Sequence, residues 1–213
     1  MGGLRQQRQD MIDWGIAAYE KGFLSGASGN LSSRLSTHRI LITPSGISKG
    51  RLKPADLIQY DIQKGVPVGS PTAKPSSEIR MHTFIYRNRS DVGAVLHAHP
   101  VYAVALSAAG ISLEKPLLPE SVFALGLVAN CPYATPTTKD VVTAIEPAIL
   151  AGHQALILAR HGSITLGKSL AEAYLRLETL EHVAKVTAIA QTVGKISPLS
   201  AKEIRKIEKL LAG

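Results

Sequence analysis

From Leu4 to Gly22 the apolar residues Leu4, Met11, Ile12, Ile16 and Ala17 recur at helical spacing, which predicts an amphipathic opening helix. Gly22, Gly26 and Gly29 end it and start a glycine-rich loop, GFLSGASGNLSSRL. RILIT (39–43) is a short apolar run of strand type, followed by the turn PSG (44–46), and Leu57–Asp61 predicts another strand. GVPVGSPTAKP then forms a surface loop or hairpin. SSEIRMHTFIY (76–86) returns to helical spacing, with Ile79, Phe84 and Ile85 on the packing side and Ser76 at the N-cap directly after Pro75. AVLHAH is the next strand, and Pro100 opens the helix PVYAVALSAAG. After a mixed stretch, Thr138 stands as N-cap to the helix VVTAIEPAILAG. QALILAR (154–160) predicts a buried strand, HGSITLG a turn into a second one, and Leu170–Val193 a long helix. A linker at 196–199 leads to a short amphipathic tail helix at about 200–212.

Strands and helices alternate without a dividing linker, so the pattern predicts one α/β domain over 1–213, a central sheet with helices on both faces. One strand is anomalous. AVLHAHP sets His97 and His99 into an apolar run, and the two-residue period of a strand turns both rings to the same side. Two polar rings on one face of a core strand need partners, either backbone hydrogen bonds or a shared metal ion.

Hydrophobic residues make up 45% of the 213 and charged ones 19%, which excludes a disordered, collagen-like or disulfide-rich chain. No apolar run approaches the roughly 18–20 residues that cross a bilayer, and the N-terminus has no signal-peptide stretch. A single cysteine, Cys131, forms no internal disulfide, so a reducing cytoplasm is the expected setting. The net charge of +8 fits nucleic acid, a membrane surface or an anionic small substrate. The positive residues are scattered, however, and with 5% aromatics there is no stacking platform for single strands, so neither nucleic acid nor membrane is an expected partner.

Three constellations carry possible chemistry. His161 follows the apolar run LILAR and precedes Gly162, so like His97 and His99 it sits at the tip of a buried strand. Three neutral imidazoles with an open position is the arrangement of a catalytic zinc site. Of the other histidines, His38 and His153 fall in polar turns, and His182 in the long helix suits a surface or packing role. In KPSSEIRMH, Ser76 and Ser77 offer hydroxyls and backbone N–H groups at a helix start, an anion cradle with Glu78 just inside. Glu78 is either a proton-transfer group or a plain first-turn acid favoured by the helix dipole, and His82, one turn on, either orients it or packs. The loops GASGNLSS (26–33) and TPSGISKG (43–50) let backbone approach an anion, with Ser28, Asn30 and Ser45 adding polar contacts. Neither matches a dinucleotide fingerprint or a P-loop.

In order, GNLS, TPSG, KPSSE, HAHP and the later HG form a series, and over about residues 4–195 the chain resembles the class II aldolase/adducin-head family, most closely its zinc-dependent L-fuculose-1-phosphate aldolase type. The resemblance implies an α/β fold with a mainly antiparallel or mixed sheet, and homotetramers with active sites at subunit interfaces. It implies one Zn2+ or other divalent ion per subunit on His97, His99 and His161, with Glu78 as the catalytic acid/base. It implies a substrate phosphate held by Asn30, Ser45, Gly46, Ser76 and Ser77. The activity implied is cleavage of a ketose 1-phosphate, L-fuculose 1-phosphate or a related deoxy-ketose, to dihydroxyacetone phosphate and an aldehyde through a metal-stabilised enediolate. No Schiff-base lysine is required.

The chain departs from that type in two places. Where aldolases of the type often carry Thr in the first glycine loop, this chain has Ala27, with Ser28 beside it. Where they place a tyrosine after the H-x-H segment and another near the C-terminus, PLLPESVF carries Glu120, and no tyrosine follows Tyr174. Glu120 resembles the acid that methylthioribulose-1-phosphate dehydratases of the same family place here, though those tend to lack the Glu of PSSE; a solvated loop carboxylate is the plain alternative. The alternatives to an aldolase are therefore a dehydratase, epimerase or decarboxylase of the family, or a non-catalytic module of the adducin-head kind.

Overall fold

The structure is a computed structural model that describes residues 3–212. Its strands are β1 (Asn30–Ser36), β2 (Arg39–Ile42), β3 (Ile58–Asp61), β4 (Val66–Pro67), β5 (Ala94–Ala98), β6 (Ala129–Cys131), β7 (Ala155–Leu158) and β8 (Gly162–Gly167). Its α-helices are α1 (Leu4–Glu20), α2 (Ile79–Asn88), α3 (Val101–Ala108), α4 (Pro119–Leu125), α5 (Asp140–Leu150), α6 (Leu170–Val193) and α7 (Ala201–Ala212). The strands form one mixed sheet in the order β4-β3-β2-β1-β5-β8-β7-β6. Every pairing is antiparallel except β6 with β7. The expected α/β fold, a single domain with a mixed sheet between helices, is the fold observed.

The two faces of the sheet are separate cores, as the two-residue period requires. Ile40, Ile42, Val95, Ile164 and Leu166 pack on one side with Met81 and Ile85 of α2 and Ile145 and Ile149 of α5. Leu31, Leu41, Ala94, Leu96 and Ala98 pack on the other with Met11 and Ile12 of α1 and Ala173 and Leu177 of α6. Trp14 of α1 lies 4.9 Å from the Tyr174 ring of α6, centroid to centroid, and joins the two helices. Ala155 and Ile157 of β7 meet α3, α4 and the second half of α6 in a third cluster.

Four local expectations need correction. The glycine loop is shorter than expected, because Asn30–Ser36 is β1, sandwiched between β2 and β5. Its small and polar residues hid the alternation: Asn30 and Ser32 are buried polar positions on the α2 side of the sheet. α2 begins at Ile79, not Ser76, because 74–76 is held extended: Ser45 N donates to Lys74 O at 2.9 Å and Ser76 N to Thr43 O at 3.1 Å. The stretch after α3 holds α4 and β6, each too short to show a period. α5 starts at Asp140, one residue later than the Thr138 cap implied, although the Thr138 hydroxyl still accepts from Asp140 N at 3.2 Å.

Candidate metal centre and anion cradle

β5 lies at the middle of the sheet, and His97 on it is fully buried, opposite Asn30 of β1 and Ile164 of β8. Its Nδ1 donates to Ser163 O at 2.9 Å, which turns Nε2 toward His99 and Glu78. His99 sits one residue past the strand, fixed by its N–H to Phe23 O at 2.9 Å. His161 stands in the tight turn between β7 and β8, beside Arg160, whose φ of +56° is strained for a non-glycine residue. The three rings lie 4.9–5.2 Å apart by centroid, and their candidate donor nitrogens all fall within 4.8 Å of one another. Burial, then the neighbouring His97 ring, pushes His99 down to about 4 and lowers His161, so both keep a free lone pair at neutral pH.

Gly162 makes this approach possible. A Cβ there would lie 2.5 Å from Ala98 O and 2.7 Å from His99 Cδ2. Gly29 is constrained on the opposite side, with φ +66° and a would-be Cβ 2.7 Å from His97 O.

Glu78 closes the centre from the α2 side. Its Oε2 is 3.0 Å from His97 Nε2 and accepts from Asn30 Nδ2 at 2.8 Å, and its Oε1 is 3.4 Å from His161 Nε2. Burial acts to raise its pKa, but His97, the Asn30 amide and His161 together overcome it and hold the carboxyl well below the usual carboxylate range. Glu78 Oε1 is buried and accepts no hydrogen bond. An orphaned carboxylate oxygen facing three convergent imidazoles is a donor set that fits a divalent ion.

Above this floor opens a cavity of about 300 Å³. Ser76, Ser77 and Glu78 line one wall, Ser28, Gly29 and Asn30 a second, and Ser45 and Gly46 a third, with His99 and His161 below. The Ser45 and Ser76 walls are zipped together through the Pro44–Pro75 bridge and the two backbone bonds beside it. Those bonds use the amides of Ser45 and Ser76, whereas those of Gly46 and Ser77 donate to no acceptor among the described residues. Asn30 gives one N–H to Glu78, which leaves its second for a ligand.

Lys49 is a lining residue that sequence reasoning passed over. It is only 1% exposed, and its Nζ donates to Ala27 O at 2.7 Å and Ile47 O at 3.1 Å. Burial pushes it down to about 8 against the pull of Glu78. The signal was available: a lysine inside a glycine–serine loop already read as an anion cradle. Thr137, at φ +68°, also lines the cavity. Glu120 does not: it is exposed in the first turn of α4. Cys131 is buried and its thiol is pushed up to about 11, which keeps it protonated. His38 and His182 are exposed, and His153 Nδ1 donates to Leu127 O. Among the described residues, no helix is long and apolar enough to cross a membrane.

Known proteins resemble this chain over most of its length. L-fuculose phosphate aldolase of Methanococcus vannielii is 34% identical over 83% of this chain and 93% of its own length. 3-Oxo-tetronate 4-phosphate decarboxylase of Haemophilus influenzae is 32% identical over 95% of this chain and 96% of its own. A solved L-fuculose 1-phosphate aldolase superposes with a TM-score of 0.87 at 30% identity, covering all of both chains. Residues 9–188, which hold every histidine, serine and glycine of the site and Glu78, match the Class II Aldolase and Adducin N-terminal domain, and the chain belongs to that family.

Proposed function

We propose that the chain is a metal-dependent carbon–carbon lyase that cleaves a ketose 1-phosphate, L-fuculose 1-phosphate or a related deoxy-ketose, to dihydroxyacetone phosphate and an aldehyde. One observation carries this reading: Glu78 offers an ionised, unpartnered oxygen beside the three imidazoles, at the floor of a cavity suited to an anion. His97, His99 and His161 would hold one divalent ion, with zinc the ion such imidazole sites suit. Bound there, it supplies Lewis-acid polarisation of the substrate carbonyl.

The chain's own residues do the rest. The amides of Gly46 and Ser77, the hydroxyls of Ser45 and Ser76, the second N–H of Asn30 and the Lys49 ammonium hold the phosphate, with Ser28 accessory. This anchors the ketone with its reacting carbon over Glu78. Glu78 Oε1 takes a proton from that carbon in the condensation direction and returns it to the enediolate in cleavage. Glu120 lies outside the cavity of its own chain, so an accessory role for it needs a second copy. A homotetramer with sites at subunit interfaces would supply one, and exposed Val101, Phe123, Leu127 and Leu175 are apolar surface of the kind such an assembly covers. A cytoplasmic setting fits the single buried thiol.

A second reading is favoured by the decarboxylase relative, which matches nearly end to end. Loss of CO2 from 3-oxo-tetronate 4-phosphate leaves the same enediolate, so Glu78 would protonate the same carbon and the same ketone would leave. Incubation with each substrate, coupled to glycerol-phosphate dehydrogenase and NADH, measures dihydroxyacetone phosphate in both cases, and released CO2 separates them. Turnover without dihydroxyacetone phosphate would point to dehydration or epimerisation. A protein that binds no metal and is indifferent to EDTA would sink every enzyme reading and leave the interaction module.

A further inference from the structure

Glu78 is one end of a buried polar ladder between α2 and β1. Glu78, His82 and Tyr86 are spaced by four on the helix, a rise of about 6 Å per step. Asn30, Ser32 and Arg34 are spaced by two on the strand, about 6.6 Å per step. The periods are close enough for the stripes to interdigitate. Asn30 bonds Glu78 and His82, Ser32 bonds His82 and Tyr86, and Arg34 lies 4.7 Å from the Tyr86 ring centroid. Asn30, Ser32, His82 and Tyr86 are each at most 3% exposed.

Chemistry fixes every proton on this ladder. An ionised Glu78 only accepts, so Asn30 must turn Nδ2 toward it, at 2.8 Å. That turns Asn30 Oδ1 to His82 Nε2, which must therefore carry hydrogen. His82 Nδ1 then accepts from the Ser32 hydroxyl at 2.6 Å, and Ser32 Oγ accepts from Tyr86 OH at 3.0 Å. Burial, then the neighbouring His97 ring, pushes His82 down to about 3, so the ring stays neutral. Four polar side chains at a helix–sheet contact are costlier than apolar ones unless their order matters.

We infer that His82 is a positioning residue for Glu78: acting through Asn30, and set in its Nε2–H form by Ser32 and Tyr86, it locks Glu78 Oε2 and leaves Oε1 turned to the substrate carbon. This rests on the proton-transfer role proposed for Glu78.

The test is proton exchange of dihydroxyacetone phosphate in D2O, followed by NMR with the metal-loaded protein, which needs no knowledge of the second product. His82→Phe is expected to slow exchange at least ten-fold with metal content and dihydroxyacetone phosphate affinity unchanged. His82→Gln, which keeps an N–H toward Asn30, is expected to recover most of the rate. Exchange at the wild-type rate in His82→Phe overturns the inference, as does a loss that follows metal content. If His82→Phe does not fold, Ser32→Ala decides, since it frees the tautomer: slower exchange supports the ladder and an unchanged rate overturns it. Nitrogen-15 correlation spectra of the wild-type His82 ring test the ladder apart from activity. An Nδ1–H form overturns it, whereas a wild type that shows the Nε2–H form yet exchanges nothing overturns the role of Glu78 instead.

Discussion

Glu78 Oε2 stands 3.0 Å from His97 Nε2, a contact that joins the N-cap of α2 to the central strand of the sheet, with both side chains less than 10% exposed. Glu78→Gln keeps the shape and the Asn30 contact while removing the proton acceptor. Turnover is expected to fall by roughly 10²–10⁴-fold, the usual range for a general acid/base, with metal content unchanged. Steady-state rates and metal analysis on the same preparation check this. A variant within ten-fold of wild type would remove Glu78 from the mechanism.

The imidazole triad links two separate segments, the end of β5 and the β7–β8 turn, so metal bound there stabilises the fold as well as the reaction. Dialysis against a chelator is expected to abolish turnover and to lower the melting temperature, and zinc to restore both. At a free metal concentration of 100–1,000 times Kd the linkage is worth about 3–4 kcal/mol. For a chain of this size that is roughly 5–15 °C. His97→Ala is expected to melt like the chelated protein and to gain nothing from added zinc.

Gly162 tests how closely the centre is packed. Besides meeting Ala98 O and His99, an added Cβ would lie 3.1 Å from His97 Cε1. Gly162→Ala must therefore move two imidazoles or the strand end, at a cost of about 1–3 kcal/mol. Metal affinity is expected to drop by roughly 10–100-fold, as when the support of a ligand is disturbed. A competition titration against a metal indicator measures it, and an unchanged affinity would mean that the rings have slack.

What could be read from the chain and what could not divide along physical lines. His97 and His99 stood out because polar rings in an apolar run contradict their surroundings, and His161 because it repeats that contradiction. The loops around Ser45 and Ser76 were legible as glycine and serine punctuation. Strand β1 was not, because Asn30 and Ser32 point into a polar seam rather than an apolar core, so the alternation that marks a strand is missing. With β1 unread, the ladder through His82 was invisible. α4 and β6 are seven and three residues long, too short for a period to emerge. Lys49 was overlooked because lysine in a polar loop is usually solvated, and only the fold shows it buried.

Lys49 also sets an expected pH dependence. Its folded pKa of about 8 lies below the ordinary 10.5, chiefly through burial. Below pH 8 the ammonium is charged in both folded and unfolded chains, and the cost of burying it is present in full. Between about 8 and 10.5 the unfolded chain binds more protons, so this group's contribution to stability rises with pH across that window. Anion binding runs the other way: as Lys49 loses its proton above pH 8, its attraction for phosphate goes with it. Inhibition by inorganic phosphate is therefore expected to weaken from pH 8 upward in the wild type. Lys49→Met should flatten that profile and, by removing one charge-assisted hydrogen bond, raise the inhibition constant at pH 7 roughly 10–100-fold. A wild-type profile flat to pH 10, or a Lys49→Met variant that binds phosphate normally, would leave the cradle to its serines and backbone amides alone.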